Sequence, residues 1–409
     1  MLLIKISILA LLFVWLIAMI IAYSYGRIGR SMQKMEKLKA VDASLPPLSV
    51  IITAHNQAVA LRRHLPAILT QDYDRFEVIV VNMGSNDETQ DVLERLELQY
   101  ANLRHTYTPR SARDISLERL ALTLGIRSSL YDWVVLTHPD CQPLTSQWLM
   151  RIGETIVQPQ RGVQSASLKT PDMVLGYAYY NRQRTTWFDR KIDFFRLWNT
   201  IVNVNFILSN HAAVRADGCN MAFRKAYFME KGGFSAHQNL KAGAEELLVN
   251  YTSTPTNTAL LLTPSATILQ DPMPARRLWK QQRVFYAETR RYQHHCHWYR
   301  ITQNMRLLIS WLMLILAIAI PVSLSVLSQT DIIEIETGTI SLSFFVSALL
   351  LIICAVTKVI CFNTTASQLG VRRYYLTMLL FELALPFWNL SASITHRHTS
   401  KNEFRKKFV

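Results

Sequence analysis

The chain has 409 residues, half of them hydrophobic, and its 44 Lys and Arg against 29 Asp and Glu give a formal charge of +15. That length exceeds what one core usually organises, so more than one part is expected, and the apolar share points to membrane spans rather than to core alone. The basic balance favours anionic partners, but the Lys and Arg gather beside apolar segments rather than among exposed stacking aromatics, so nucleic acid is not an expected partner.

From Ile6 to Tyr25 the sequence is apolar and uncharged, long enough to cross a hydrocarbon core of about 30 Å. A cleaved signal peptide would have a shorter apolar region ending in small residues, so residues 1–26 are read as a retained anchor. Arg27, Arg30, Lys34, Lys37 and Lys39 follow it, against Lys5 alone before it, which places the next domain in the cytoplasm.

The run Leu48–Thr53 is short, β-branched and uninterrupted, as in a strand buried on both faces of a parallel sheet. A helix follows, with Val59, Leu61, Leu65, Ile68 and Leu69 expected along one face. Strand and helix patterns then alternate: a strand at 76–82, a helix through Val92–Tyr100, a strand at Leu103–Thr108, a helix around Leu117–Ser129 and a strand at Trp133–Thr137. This order predicts an α/β fold with an open parallel sheet covered by helices, whose ligands bind beyond the C-terminal strand ends. The informative residues are then Ala54–Gln57, Asn82–Asp87 and His138–Pro143; capping of the next helix would by itself explain Gly84 and Asp87.

Five cysteines, Cys141, Cys219, Cys296, Cys354 and Cys361, form neither a C-x-x-C pair nor an even set, so reduced thiols are expected rather than a disulfide framework or a structural zinc site. His294, His295, Cys296 and His297 are adjacent; on a helix they would diverge, which favours an interfacial helix over a metal site. Further apolar stretches cover Leu307–Leu327, with Pro321 inside, and Ile340–Cys361, and the acidic residues between them, Asp331, Glu334 and Glu336, suit an external loop. Tyr374–Ile394 is either a span or, with Pro386 as a break, an interfacial or re-entrant helix, because a full crossing would place the tail basics Arg397, Lys401, Arg405, Lys406 and Lys407 outside. Only Lys358 and Glu382 are ionisable within these stretches, which argues against a channel or carrier.

The strand ends together resemble, in order over residues 46–300, the nucleotide-sugar-binding domain of the family-two glycosyltransferases. Ala54, His55, Asn56 and Gln57 stand at the first turn; Gln71, Asp72 and Tyr73 form the QDY after the first helix; Asn82, Met83, Gly84, Ser85, Asn86 and Asp87 stand where the family reads D-D-G-S-x-D. At the fourth strand end Asp140 keeps the last position of the family's D-A-D, with His138 in place of the first. The segment 217–234, with Asn220 and Gly232-Gly233, resembles the G-x-N-M-A-F-R-K…G-G-F element said to lie under the acceptor. Trp279, Gln281 and Arg283 partly match the Q-x-x-R-W element, although Val284 and Phe285 replace Arg-Trp; Arg290 and Arg291 are expected to face lipid phosphates.

The resemblance implies a GT-A, Rossmann-like parallel or mixed sheet with flanking helices over residues 46–300, C-terminal membrane helices over 303–396, and a basic tail at 397–409. It implies a membrane-associated, multi-pass inverting transferase of the inner or plasma membrane, catalytic domain cytoplasmic, that moves sugar from a nucleotide-sugar donor to a lipid-linked or cell-surface glycan. Donor contacts are expected from Ala54, Asn56, Asn82, Asp87 and Asp140, and acceptor or diphosphate contacts from Asn220, Gln281 and Arg283. Asp140 and His138 would hold Mg²⁺ or Mn²⁺. The family base falls by register at Ala244, so Glu245, with Glu246 beside it, is expected to deprotonate the acceptor; solvation of a helix start would also explain two acids there. The alternative is a catalytically degenerate relative that binds nucleotide or glycan or scaffolds a membrane assembly, motivated by Asn82, Met83, His138, Ala244 and Val284.

Overall fold

The computed structural model describes residues 2–36, 44–109, 116–157, 170–181, 186–272, 276–294, 296–329 and 337–405. Lys37, Lys39, His295, Asp331, Glu334, Glu336, Lys406 and Lys407 lie outside the described residues. The chain divides into two compact units, one of residues 1–33 and 297–389, the other of residues 34–296 and 390–409.

The chain opens with α1 (Leu2–Tyr25) and α2 (Arg27–Glu36). The second unit then begins with β1 (Leu48–Ala54), α3 (Ala58–Leu69), β2 (Phe76–Asn82), α4 (Thr89–Gln99), β3 (Leu103–Tyr107), α5 (Leu117–Ser128) and β4 (Trp133–Thr137). Every residue of β4 is buried, and β1 and β2 are buried at all but one position each, because these uninterrupted apolar runs are covered on both sheet faces. Along α3 the buried face is Ala58, Leu61, Leu65, Ile68 and Leu69, whereas Val59 is 78% exposed. The expected face is corrected there: one residue beyond Ala58 the helix has turned about 100°, so Val59 faces away.

The chain continues through β5 (Cys141–Pro143), α6 (Trp148–Val157), β6 (Met173–Leu175), β7 (Ala178–Tyr180), the 21-residue α7 (Trp187–Ile207), β8 (Met221–Arg224), α8 (Lys225–Glu230), α9 (Ala244–Thr252), β9 (Thr258–Leu260), β10 (Ile268–Gln270) and α10 (Arg276–Thr289). The main sheet has the order β3-β2-β1-β4-β8-β6-β9, and a smaller one the order β5-β10-β7. Strands β1 to β4 run parallel, while β8 enters antiparallel to β4, so the sheet is mixed. A Cβ on Gly125 would come within 2.5 Å of Ile51, so this small residue is what lets α5 lie close against the sheet.

Three long helices follow, α11 (His297–Gln329), α12 (Thr337–Gln368) and α13 (Leu376–His398), then α14 (Lys401–Phe404). Among the described residues four helices, α1, α11, α12 and α13, are long and apolar enough to cross a membrane. In the first unit Leu11, Val14 and Ala18 pack with Ile309, Met313, Ile320, Leu324 and Cys354, and Trp15 Nε1 donates to the Leu350 carbonyl at 3.0 Å. Lys358 and Glu382 meet inside this unit: Lys358 Nζ lies 3.2 Å from Glu382 Oε2 and donates to Ser310 Oγ at 2.6 Å, while the Tyr25 hydroxyl donates to Glu382 Oε1 at 2.8 Å.

In the second unit the end of the chain returns to the sheet domain. His396 Nε2 is 2.7 Å from Glu288 Oε2, Lys241 N donates to the Phe404 carbonyl at 3.0 Å, and the Phe404 ring meets Phe285. Arg291 pairs with Glu288 at 3.5 Å and Arg290 lies over the Tyr286 ring, so both have partners within the domain rather than only the expected lipid.

Candidate active site

The loops after β1 and β2 are laced together by short polar side chains. Asn56 takes a left-handed backbone (φ 54) that Asn tolerates, and its Oδ1 accepts from Asn86 N at 2.8 Å. Asn82 Oδ1 accepts from Ser85 N and Oγ, and its Nδ2 donates to Gln90. Asp87 accepts from Ala58 N and Thr89 N, both at 3.1 Å, so it caps two helix starts at once. Burial pulls its pKa upward, but the hydrogen bonds from Thr89 and Ala58 together hold it below the ordinary carboxylate value. Ala54 is buried, and its carbonyl accepts from Met83 N at 2.8 Å. These donor candidates therefore shape one turn, with side chains spent largely on each other.

Beyond β4, Asp140 Oδ2 accepts from Gln270 Nε2 at 3.0 Å. Gln270 in turn accepts from Arg196 Nη1 at 2.8 Å, and Arg196 grips Asp217 through Nε at 2.9 Å. Both ring nitrogens of His138 have other partners: Nδ1 is 3.4 Å from Cys219 Sγ, and Nε2 is 3.5 Å from Glu245 Oε1. Despite burial, the proximity of the Cys219 sulfur and the Glu245 carboxylate raises the His138 pKa well above its usual value. Burial works against ionisation of Glu245 as well, but the hydrogen bond and charge of His138 outweigh it and hold this carboxyl low.

Glu245 and Glu246 open α9, after Gly243 at φ 75. A Cβ at Gly243 would meet Thr289 Cγ2 at 2.5 Å, and one at Gly218 would press on Glu245 at 3.0 Å, so two glycines make room for this end of the helix. Gly243→Ala is expected to cost about 1–3 kcal/mol through backbone strain and crowding, read as a lower melting temperature of the detergent-solubilised chain. Glu246 pairs with Arg215 Nε at 2.8 Å, and Arg215 lies over the Tyr286 ring at 4.1 Å.

These groups border a cavity of about 390 Å³ whose wall includes Glu118, His138, Arg196, Arg215, Glu245 and Arg283. Arg283 stacks on Phe195 at 3.9 Å, and burial lowers its pKa to about 10. On α10 the cavity takes Trp279, Gln282, Arg283, Phe285, Tyr286 and Thr289, while Gln281 is exposed and does not line it. Helical spacing explains that correction, because residues three, four and seven positions after 279 share its face and residue 281 does not. Asn220 is corrected too: only 1% exposed, it donates to the Tyr177 and Ala266 carbonyls and accepts from Trp148 Nε1, so it locks loops behind the cavity rather than lining it. His294 and His297 are exposed and Cys296 is buried, so that run forms no cluster among the described residues.

Sequence reasoning missed Glu118, Arg196 and Cys219. Glu118 in the first turn of α5 reads as a routine helix-start acid, yet it borders both this cavity and a second one of about 200 Å³ lined by His55, Met83, Ser116, Leu117 and Lys241. Burial and the Glu245 charge push its pKa up to about 7, against the pull of His138 and Arg119. Folded, it therefore keeps its proton over a range where the unfolded chain has lost it, and stability falls as pH rises from about 4.5 to about 7. Glu118→Gln should match the parent near pH 4 and exceed it by about 1–2 kcal/mol near pH 8, measured by thermal or denaturant melts at both values.

Residues 49–228 match the Glycosyl transferase family 2 model. Among curated proteins, the chain is 34% identical over 103 residues to the probable glycosyltransferase YdaM of Bacillus subtilis, covering 24% of each chain. It is 31% identical over 116 residues to the glycosyltransferase AglE of Haloferax volcanii, covering 28% of this chain and 36% of that one. The aligned part thus spans about a quarter to a third of those relatives' length. Among solved structures it is similar to the mannosyltransferase PcManGT of Pyrobaculum calidifontis in complex with GDP-Man and Mn²⁺, at 16% identity and TM-score 0.46 over 95% of this chain and 99% of that one. It is also similar to S. aureus TarS 1-349 in complex with UDP-GlcNAc, at 11% identity and TM-score 0.41 over 83% and 92%. The parallel β1–β4 half and the antiparallel β8 fall on the same stretch of sequence, residues 49–228, that is similar to glycosyl transferase family 2.

Proposed function

We propose that this protein transfers a sugar from a nucleotide-sugar donor to a lipid-linked or cell-surface glycan acceptor, with inversion, at the cytoplasmic face of the inner or plasma membrane. The observation that carries this reading is Glu245, held beside His138 in the wall of a cavity that also exposes Arg196, Arg215 and Arg283. A carboxylate kept ionised can take the proton of an acceptor hydroxyl as it attacks the anomeric carbon, and the guanidinium groups suit the charge of a diphosphate. One in-line displacement inverts the centre, and no covalent sugar intermediate is needed. Glu246, paired with Arg215, is a positioning residue for that wall.

The donor set fits a hard cation in part. Asp140 offers one carboxylate, and the His138 nitrogens face Cys219 and Glu245 rather than Asp140, so Asp140 is the residue that would hold Mg²⁺ or Mn²⁺. When bound, such an ion would neutralise charge on the departing diphosphate. Ala54, Asn56, Asn82 and Asp87 set the turn against which the nucleoside would lie, and the cavity beside Met83 is offered to its base. Membrane lipids would surround the apolar helices of the first unit, which are long and apolar enough to cross a bilayer.

The degenerate reading is favoured by one observation, the self-satisfied Asn56, Asn82 and Asp87 side chains. Calorimetric titration of the detergent-solubilised chain with nucleoside diphosphates, with and without Mn²⁺, separates the two. Mn²⁺-dependent binding of one nucleotide, lost in Asp140→Ala, is the expected result; absence of binding to every nucleotide would overturn the transferase reading.

A further inference from the structure

We infer that His138, Cys141 and Cys219 form a binding site for a thiophilic divalent cation, Zn²⁺ being the ion their chemistry fits best. The three are far apart or unremarkable in sequence, and the sheet brings them together. Strand β8 runs antiparallel to β4 with Leu136 opposite Met221. Continued two residues past the paired ends, that register sets 138 opposite 219. The turn after β4 then folds back, Cys141 N donating to the His138 carbonyl at 3.1 Å, so residue 141 is returned to the same place.

One ligand atom from each residue can be chosen so that all lie within 4.8 Å of one another. The Cys219 Sγ to His138 Nδ1 separation is 3.4 Å. A tetrahedral Zn²⁺ about 2.3 Å from sulfur and about 2.0 Å from nitrogen requires an N–S edge of about 3.5 Å, so this edge is already at length. The far nitrogen of His138 faces Glu245 at 3.5 Å, the carboxylate partner that orients a metal-bound imidazole. Cys141 and Cys219 are 0% and 2% exposed, and both thiols are free of disulfides. Apolar packing accounts for two buried thiols; it does not account for an imidazole nitrogen directed at one of them.

Two sulfurs and a nitrogen select a borderline or soft ion over Mg²⁺, which demands oxygen. Three protein ligands leave a fourth position, and His138 and Cys219 both line the large cavity, so water or a ligand oxygen can reach it. The site uses no oxygen of Asp140, and the inference does not rest on the proposed transfer reaction.

The test is a Co²⁺ titration of the full chain in detergent, reduced with a phosphine and stripped with chelator. Expected are one Co²⁺ per chain, a thiolate-to-metal charge-transfer band with the visible bands of a tetrahedral ion, and displacement by one equivalent of Zn²⁺. Cys141→Ser and Cys219→Ser should each weaken Zn²⁺ binding at least about tenfold, and Cys361→Ser should leave it unchanged. In the parent protein, Zn²⁺ should slow alkylation of Cys141 and Cys219 but not of Cys361. Absence of the charge-transfer band in the parent protein, or its persistence in both Cys→Ser variants, would overturn the assignment. The parent titration is decisive even if a variant fails to fold, and nucleotide titration of the same preparation reports separately on the transferase reading.

Discussion

Glu245→Gln should lower sugar transfer by about 10²–10⁴-fold while leaving nucleotide affinity within about twofold, because the amide keeps the shape of the site and cannot accept the acceptor's proton. The comparison that gives this meaning is with its neighbours. Glu246→Gln weakens the pair with Arg215 and should act mainly on acceptor KM. Glu118→Gln removes a carboxyl that is partly protonated near neutrality and should cost far less turnover. Single-turnover rates at saturating donor distinguish the three. Near-parental turnover in Glu245→Gln together with a collapse in Glu118→Gln would move the base from α9 to α5.

The second large effect is on stability. Lys358→Met should destabilise the chain by about 3–5 kcal/mol, because it leaves the 2% exposed Glu382 side chain without its cation among apolar helices. Lys358→Met with Glu382→Leu should recover most of that loss, since removing both charges removes the desolvation cost as well. Detergent-melt midpoints of the two variants decide it: a double variant no better than the single would mean that the pair, with Ser310 and Tyr25, is worth more than the charges it neutralises.

The alternation of strands and helices was legible because β1, β2 and β4 each carry a largely apolar run, and burial on both sheet faces demands that pattern. The bearing of a side chain within its element was harder to read. Val59 and Gln281 match the expected spacing only approximately, and a helix turns about 100° per residue, so one position separates cavity from solvent. The family motif marked Asn220 and the QDY segment, but their side chains serve the scaffold: Gln71 Nε2 donates to the Ala67 and Thr145 carbonyls, and the Tyr73 hydroxyl to that of Pro46. Pairing across strands was hidden altogether. Cys219 and His138 stand 81 residues apart, and no local pattern announces the β4–β8 register that joins them. Glu118 was hidden for the opposite reason, since an acid in a first helical turn is ordinary.

The return of residues 390–405 to the sheet domain bears on how the last apolar helix would meet a membrane. Both ends of the stretch 297–389 connect to the same unit, so a second unit that stays on one side of a bilayer would require an even number of crossings in that stretch. It holds three apolar helices, of which α11 and α12 have hydropathy 2.6 in their best windows and α13 only 1.3. An even count would be met by α11 and α12 alone, with α13 along the surface, one of the two arrangements that its sequence allows. Its exposed Leu376, Leu380, Phe387, Leu390 and Ile394 recur every three, four or seven residues, a single oily edge suited to floating in the head-group layer. In that arrangement the basic tail would stay on the side the positive-inside rule demands, and a cysteine-accessibility scan of residues 399–405 from each face of sealed vesicles would read the parity directly.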